Sequence, residues 1–109
     1  MIIDTSRTVK NVMHEDITIK NSSKVKFDGI TNGTIKICDC STCNIVGLHN
    51  GDIIVESNCN LSIHGLLNGN VTNYGNTEIF GVVNNATIKG NKPLISDDAI
   101  INDCQFLSE

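Results

Sequence analysis

The stretch from Asn60 to Gly75, Asn-Leu-Ser-Ile-His-Gly-Leu-Leu-Asn-Gly-Asn-Val-Thr-Asn-Tyr-Gly, repeats its own chemistry when shifted by 18 residues toward the N-terminus. Gly65 falls on Gly47 and Gly29, Asn68 on Asn50 and Asn32, and Gly69 on Gly51 and Gly33. A shift of 16 residues in the other direction finds Gly81 and Asn84. A constant period of this length marks a solenoid, in which each repeat is one coil that buries its apolar face only by stacking on its neighbours.

Apolar columns support this register. Two residues before the glycine stand Val9, Phe27, Ile45, Ile63 and Ile79, and one after it stand Val12, Ile30, Leu48, Leu66 and Val82. Six after it come Ile17, Ile35, Ile53, Val71 and Thr87, and eight after it Ile19, Ile37 and Val55, before Asn73 turns that column polar. These four columns are expected to face inward. Short strands with period-two alternation, separated by turn residues, predict an all-β parallel β-helix. A left-handed helix of hexapeptides would also have 18-residue coils, but hexad spacing from Phe27 would put Gly33 and Asp39 in the core. The unequal spacing favours a right-handed helix of about five coils of 16 to 18 residues.

The Asn-Gly pairs at 32/33, 50/51 and 68/69 supply corner residues with positive φ, and their amides, stacked at one corner, can bond to one another as a ladder. Independent hairpins are the alternative reading of Asn-Gly, but hairpins do not require a constant period.

The 109 residues read as a single domain. An N-terminal edge and first coil span 1–23, regular coils span 24–92, and 93–109 reads as a final incomplete coil or an irregular C-terminal cap, where Pro93 lacks a ladder donor. The first coil is divergent, with Asn11 in the glycine place and His14-Glu15 in the Asn-Gly place, and Ile2 and Ile3 are placed to close the apolar pile. His14, Glu15 and Asp16 read as a solvated corner, since consecutive residues on an extended chain point to opposite faces. Net charge is −4, with Lys and Arg scattered singly, so no basic groove for phosphates is built. No apolar run approaches a membrane span, and Met1-Ile2-Ile3-Asp4 lacks the features of a signal peptide, making the cytoplasm the expected compartment.

Cys38-Asp39-Cys40-Ser41-Thr42-Cys43 departs from the repeat, and Cys59 stands 18 residues after Ser41. Adjacent coils lie about 4.8 Å apart, so Cys38, Cys40, Cys43 and Cys59 are candidate ligands of a structural zinc. Packing of small thiols is the plain alternative, and a disulfide is a third, disfavoured in a reducing compartment. Cys104, in the cap, reads as a buried thiol. His49 and His64 are expected on the outside. There is no paired-carboxylate motif, phosphate loop or nucleophile elbow, so the chain is expected not to be an enzyme.

Ile63-His64-Gly65-Leu66-Leu67-Asn68-Gly69-Asn70-Val71 resembles the coils of the bactofilins, and it is similar to the β-helical C-terminal domain of the cell-division inhibitor MinC. The bactofilin resemblance implies end-to-end self-assembly into a cytoskeletal scaffold. A compact acidic rod with both ends capped is instead expected to be a non-enzymatic protein-binding module, a small inhibitor or adaptor that covers a partner's surface. Its acidity suits a basic, nucleic-acid-binding protein as that partner. A phage-encoded inhibitor of the anti-CRISPR kind is one specific form of this, by analogy of size and charge. Direct contact with nucleic acid or membrane is not expected.

Overall fold

The structure, a computed structural model, describes residues 1–107. Its strands are short because corner residues interrupt every apolar run after two to four positions. Each run therefore pairs with the equivalent run one coil away, always in parallel, and the described residues wind into a β-solenoid of about six turns with three sheets along its length. Sheet A stacks Ile2–Ile3, Ile17–Ile19, Ile35–Ile37, Ile53–Val55, Val71–Asn73, Thr87–Gly90 and Gln105–Leu107. Sheet B stacks Arg7–Val9, Lys24–Phe27, Thr42–Ile45, Asn60–Ile63, Asn76–Ile79 and Leu94–Ile95, and sheet C stacks Val12–Met13, Ile30–Asn32, Leu48–Asn50, Leu66–Asn68, Val82–Asn84 and Ile100–Asn102.

Most of the expected interior is present. Val9, Phe27, Ile45, Ile63 and Ile79 form one buried column, Ile17, Ile35, Ile53 and Val71 another, and Ile3, Ile19, Ile37 and Val55 a third that ends on buried Asn73. Val25, Cys43, Leu61 and Thr77 add an inner column that the sequence period did not single out. Thr87 does not continue its expected column. Asn85 adopts a left-handed conformation (φ 52°) at the corner and inserts one residue, so that Ile88 pairs with Val71 and is buried.

Sheet C is turned relative to expectation. Val12, Ile30, Leu48, Leu66 and Val82 point outward, and Val12 and Ile30 are 56% and 38% exposed. The residues after them face the core: Met13 packs against it, and Thr31, His49, Leu67 and Val83 are buried. The cause is the Asn column. Asn32, Asn50 and Asn68 stand on the outer face, where the amide groups their ladder leaves over reach water, and in an extended strand a residue two positions earlier shares that face. Asn50 Nδ2 donates to Asn32 Oδ1 at 3.0 Å, Asn68 Nδ2 to Asn50 Oδ1 at 3.1 Å, and Asn102 Nδ2 to Asn84 Oδ1 at 2.9 Å. Asn32 Nδ2 reaches His14 Nδ1 at 3.0 Å, so His14 takes the first rung as its place in the repeat implied.

Glycine is required where turns nearly touch. A Cβ on Gly65 would meet the carbonyl oxygens of Gly47 and Val46 in the turn before, while Gly51, at φ 134°, holds a corner that L side chains rarely adopt.

Of the two readings of the C-terminal segment, the structure shows the further coil and not the irregular cap. Pro93 is buried above Thr77, strand Leu94–Ile95 follows it immediately, and each sheet gains one more parallel strand from residues 94–107. Pro93 is tolerated because it precedes the strand, where no ladder donor is needed. The expected cap thus becomes a sixth turn, with nothing described above it, and residues 108–109 of the expected cap lie outside the described residues. Ile95, Ile100, Phe106 and Leu107 are exposed there, and Met1 and Ile2 are exposed at the opposite end.

Candidate functional site

The four cysteines occupy the corner between sheets A and B. Asp39 and Cys40 both take left-handed φ (56° and 58°), as Asn21 and Ser22 do one turn earlier, which sets Cys40 at the exposed tip. Cys59 does lie in the column of Ser41, since Asn60 pairs with Thr42, but it is buried. Cys43 points the other way from the tip, into the core between Val25 and Leu61. Cys38 is half-buried, its Sγ 3.3 Å from the Ile19 carbonyl oxygen. Cys104 is half-buried in the last turn rather than fully enclosed.

The described residues contain no group of three or more His, Cys, Asp or Glu side chains placed to share an ion. Burial pushes the Cys43 thiol well above its ordinary pKa, and burial, then the Glu56 and Asp39 carboxylates, raise that of Cys38. A cysteine binds zinc as the thiolate. As they stand, these residues do not fit a four-thiolate zinc site: Cys43 would have to leave an apolar column to join one. Elemental analysis of protein purified without chelator is expected to find well below one zinc per chain. Stoichiometric zinc that disappears when Cys40 and Cys59 are both changed to Ser would overturn that.

His49 is fully buried, contrary to the expected surface position. Its Nδ1 lies 2.6 Å from Thr31 Oγ1, and Nε2 has no partner. Either tautomer leaves one ring nitrogen unpaired, a cost the core carries at this position. Burial lowers the His49 pKa, opposed more weakly by the backbone and carboxylate of Asp52. The folded state therefore holds His49 neutral where the unfolded chain would protonate it. The contribution is fully favourable above the unfolded pKa of about 6.5, and stability is lost as pH falls below it, by up to about 1.4 kcal/mol per pH unit. Urea midpoints between pH 7 and 5 measure this. The double variant Thr31→Val, His49→Leu, which removes both partners together, is expected to flatten the slope, and an unchanged slope would assign it elsewhere.

The most distinctive surface is the outer face of sheet C. None of its strand residues is Asp, Glu, Lys or Arg, whereas sheet A carries Lys36 and Lys89 and sheet B carries Arg7, Lys24, Lys26 and Glu78. An aliphatic column from Val12 through Leu48 and Leu66 to Ile100 runs the length of the solenoid, with the Asn ladder beside it. On the other flank the glycine column leaves the backbone low, and beyond it His64, exposed as expected, stacks on Phe80 with ring centroids 4.7 Å apart and planes 11° from parallel. The sequence period had put this aliphatic column inside. Its outward place was legible in the Asn two residues further along each strand.

A groove of about 290 Å³ at the C-terminal end is lined by Ile88, Pro93, Ile95, Phe106 and Leu107, with Lys92 at its margin. Asp16 and Asp52 are used structurally, their Oδ1 atoms accepting the backbone N–H groups of Thr34 and Asn70 at 2.9 and 3.2 Å.

These features define a parallel β-solenoid with an uncharged, apolar-ridged face. No protein-family model matches the chain, and no curated protein or solved structure is significantly similar to it. The resemblance read from the sequence holds as far as a parallel β-solenoid of about six turns.

Proposed function

We propose that this chain is a non-enzymatic protein-interaction module, an adaptor or inhibitor that works by covering another protein surface with the outer face of sheet C. The observation that carries this reading is the absence of charge from a continuous aliphatic ridge on an otherwise charged, acidic molecule. Depletion of charge at an apolar centre is the compositional mark of an interface. Acidic groups sit around the face, with Glu15 and Asp16 at one end and Asp97, Asp98 and Asp103 at the other, and these are what a basic partner would meet.

The test uses wild type and Leu66→Lys, a change on the outer face, as paired baits with circular dichroism as the check on folding. A protein retained by wild type and lost by the variant supports the reading. Equal retention by both moves the interaction off sheet C.

A second reading, a self-assembling scaffold, is favoured by the first and last described turns. Ile95, Phe106 and Leu107 at one end and Met1 and Ile2 at the other expose apolar side chains beside strand edges that have no partner among the described residues, and such edges are templates for further pairing. Filaments in electron micrographs that persist in Leu66→Lys and vanish in Ile95→Lys would select this reading over the first.

A further inference from the structure

We propose that the Asn68-Gly69 pair is a self-modification site, at which the Gly69 backbone nitrogen displaces ammonia from the Asn68 side chain and leaves a carboxylate on the outer face of sheet C. Its effect on binding rests on the reading of that face as the interacting surface. The site itself does not.

Asn followed by Gly is the pair in which this cyclisation is least hindered, because glycine brings no Cβ to the attacking nitrogen. The chain has three such pairs, Asn32-Gly33, Asn50-Gly51 and Asn68-Gly69, each with Asn ending a strand of sheet C and Gly at positive φ, 133°, 134° and 151°. They differ in how firmly the reacting groups are held. The Gly33 N–H donates to the Asn50 carbonyl at 3.1 Å and the Gly51 N–H to the Asn68 carbonyl at 2.9 Å. The Asn32 side chain is held from both sides, by His14 and Asn50, and the Asn50 side chain by Asn32 and Asn68. At the third pair both restraints end. Among the described residues the Gly69 N–H has no acceptor and Asn68 Oδ1 has no donor, although Asn84 lies opposite Asn68 in the ladder.

The cause lies one turn further on. Left-handed Asn85 inserts a residue after Asn84, so that corner no longer follows the one beneath it. Asn84 and Asn85 bond onward instead: Asn84 Oδ1 accepts from Asn102 Nδ2 at 2.9 Å, and the Asn85 N–H donates to the Asn102 carbonyl at 3.1 Å. Asn68 is therefore the last rung below a break. Gly69 is half-buried and Asn70 beside it is exposed, so the pair borders solvent.

The step balances with water as the only co-reactant. The Gly69 nitrogen loses its proton and bonds to Asn68 Cγ, the Cγ–Nδ2 bond breaks, and Nδ2 leaves as ammonia with that proton. Water then opens the cyclic imide, at the side-chain carbonyl to give aspartate or at the main-chain carbonyl to give isoaspartate. Nothing is oxidised or reduced. Either product adds a negative charge to a face whose strands carry none. Aspartate also has no N–H for Asn50 Oδ1, so two acceptors meet where a 3.1 Å hydrogen bond stood. Leu66 shares that face two positions away. Covering an unpaired carboxylate beside the ridge is costly, so the surface loses affinity as the protein ages.

The full chain, incubated in mildly alkaline buffer and digested in acid, reports all three pairs in one mass spectrum. Position 68 is expected to convert at least about tenfold faster than 32 or 50, equivalent to about 1.4 kcal/mol in the barrier, faster still as pH rises, and at the same rate as the others in urea. Equal rates in the folded chain overturn the site, and so does a preference for 68 that survives urea, which would belong to the local sequence. Asn68→Asp, checked by circular dichroism, joins Leu66→Lys in the paired-bait comparison and is expected to lose the protein that wild type retains. If Leu66→Lys loses it and Asn68→Asp does not, the effect on binding is overturned. If neither loses it, the reading of sheet C as the interacting face has failed, and the rates at 32, 50 and 68 still decide the site.

Discussion

Leu67→Lys is expected to abolish the folded state, whereas Leu66→Lys, one residue away, should leave the urea midpoint nearly unchanged. Leu67 is fully buried in the column of Thr31, His49 and Val83, while Leu66 stands on the outer ridge. A lysine at 67 would put an ammonium group among aliphatic side chains with no carboxylate inside the solenoid to pair with it. An uncompensated buried charge costs several kcal/mol, a large share of the roughly 5–15 kcal/mol that holds a domain together. At 66 the stem of the lysine can lie along the ridge with its charge in water. Circular dichroism in a urea series separates the two variants. Equal tolerance, or the opposite order, would reverse the orientation assigned to sheet C and remove the surface on which the proposed interaction depends.

Gly65→Ala is expected to be nearly as damaging, although it adds one methyl group. That methyl would collide with the carbonyl oxygens of Gly47 and Val46, and the Gly47 oxygen is engaged by the Leu66 N–H at 2.9 Å. Backbone held in a ladder has no rotamer to change, so the turns must separate and stretch their hydrogen bonds. We expect a loss of about 3 kcal/mol or more, in the range reserved for overpacking and backbone strain. Asn68→Ala is the matched comparison in the same turn, since it removes a ladder bond worth only ~1 kcal/mol. If the two variants unfold at the same urea concentration, the close approach of turns at this corner is wrong.

Much of the architecture was legible because the period was nearly constant and because Ile45, Ile63, Ile35 and Ile53 each head columns of like residues. The orientation of sheet C was harder to read. Its inner column changes character from Thr31 and His49 to Leu67 and Val83, while its outer column is aliphatic throughout, so hydrophobicity alone points to the wrong one. The face-sharing rule applied to Asn50 and Leu48 gives the right answer, because keeping the leftover amide groups in water outranks the burial of the leucine. The C-terminal turn was hidden by uneven spacing. Two residues, Tyr74 and Gly75, make the corner that takes four in each of the three turns before, and the later shifts of 17, 16 and 18 residues blur the repeat. For the cysteines, spacing correctly placed Cys59 beside Ser41 in the column but carried no information on which side of the backbone each thiol falls. Alternation along the strand sends Cys43 inward, and the left-handed tip sends Cys40 out.

The unbroken 18-residue register between Lys24 and Asn73 makes each turn a segment that can be excised or copied without disturbing its flanks. Removing Leu48 to Gly65 would join Gly47 directly to Leu66, recreating the Gly-Leu junction already present on both sides, and would rest Asn68 on Asn32 with the same amide contact. Such a chain can grow or shorten by whole turns through in-frame duplication or loss, its thickness fixed and its length free. The uneven corners after Asn73, one or two residues out of step, interrupt that exchangeability, leaving the central turns as the interchangeable part of the molecule and the two ends as its individual parts.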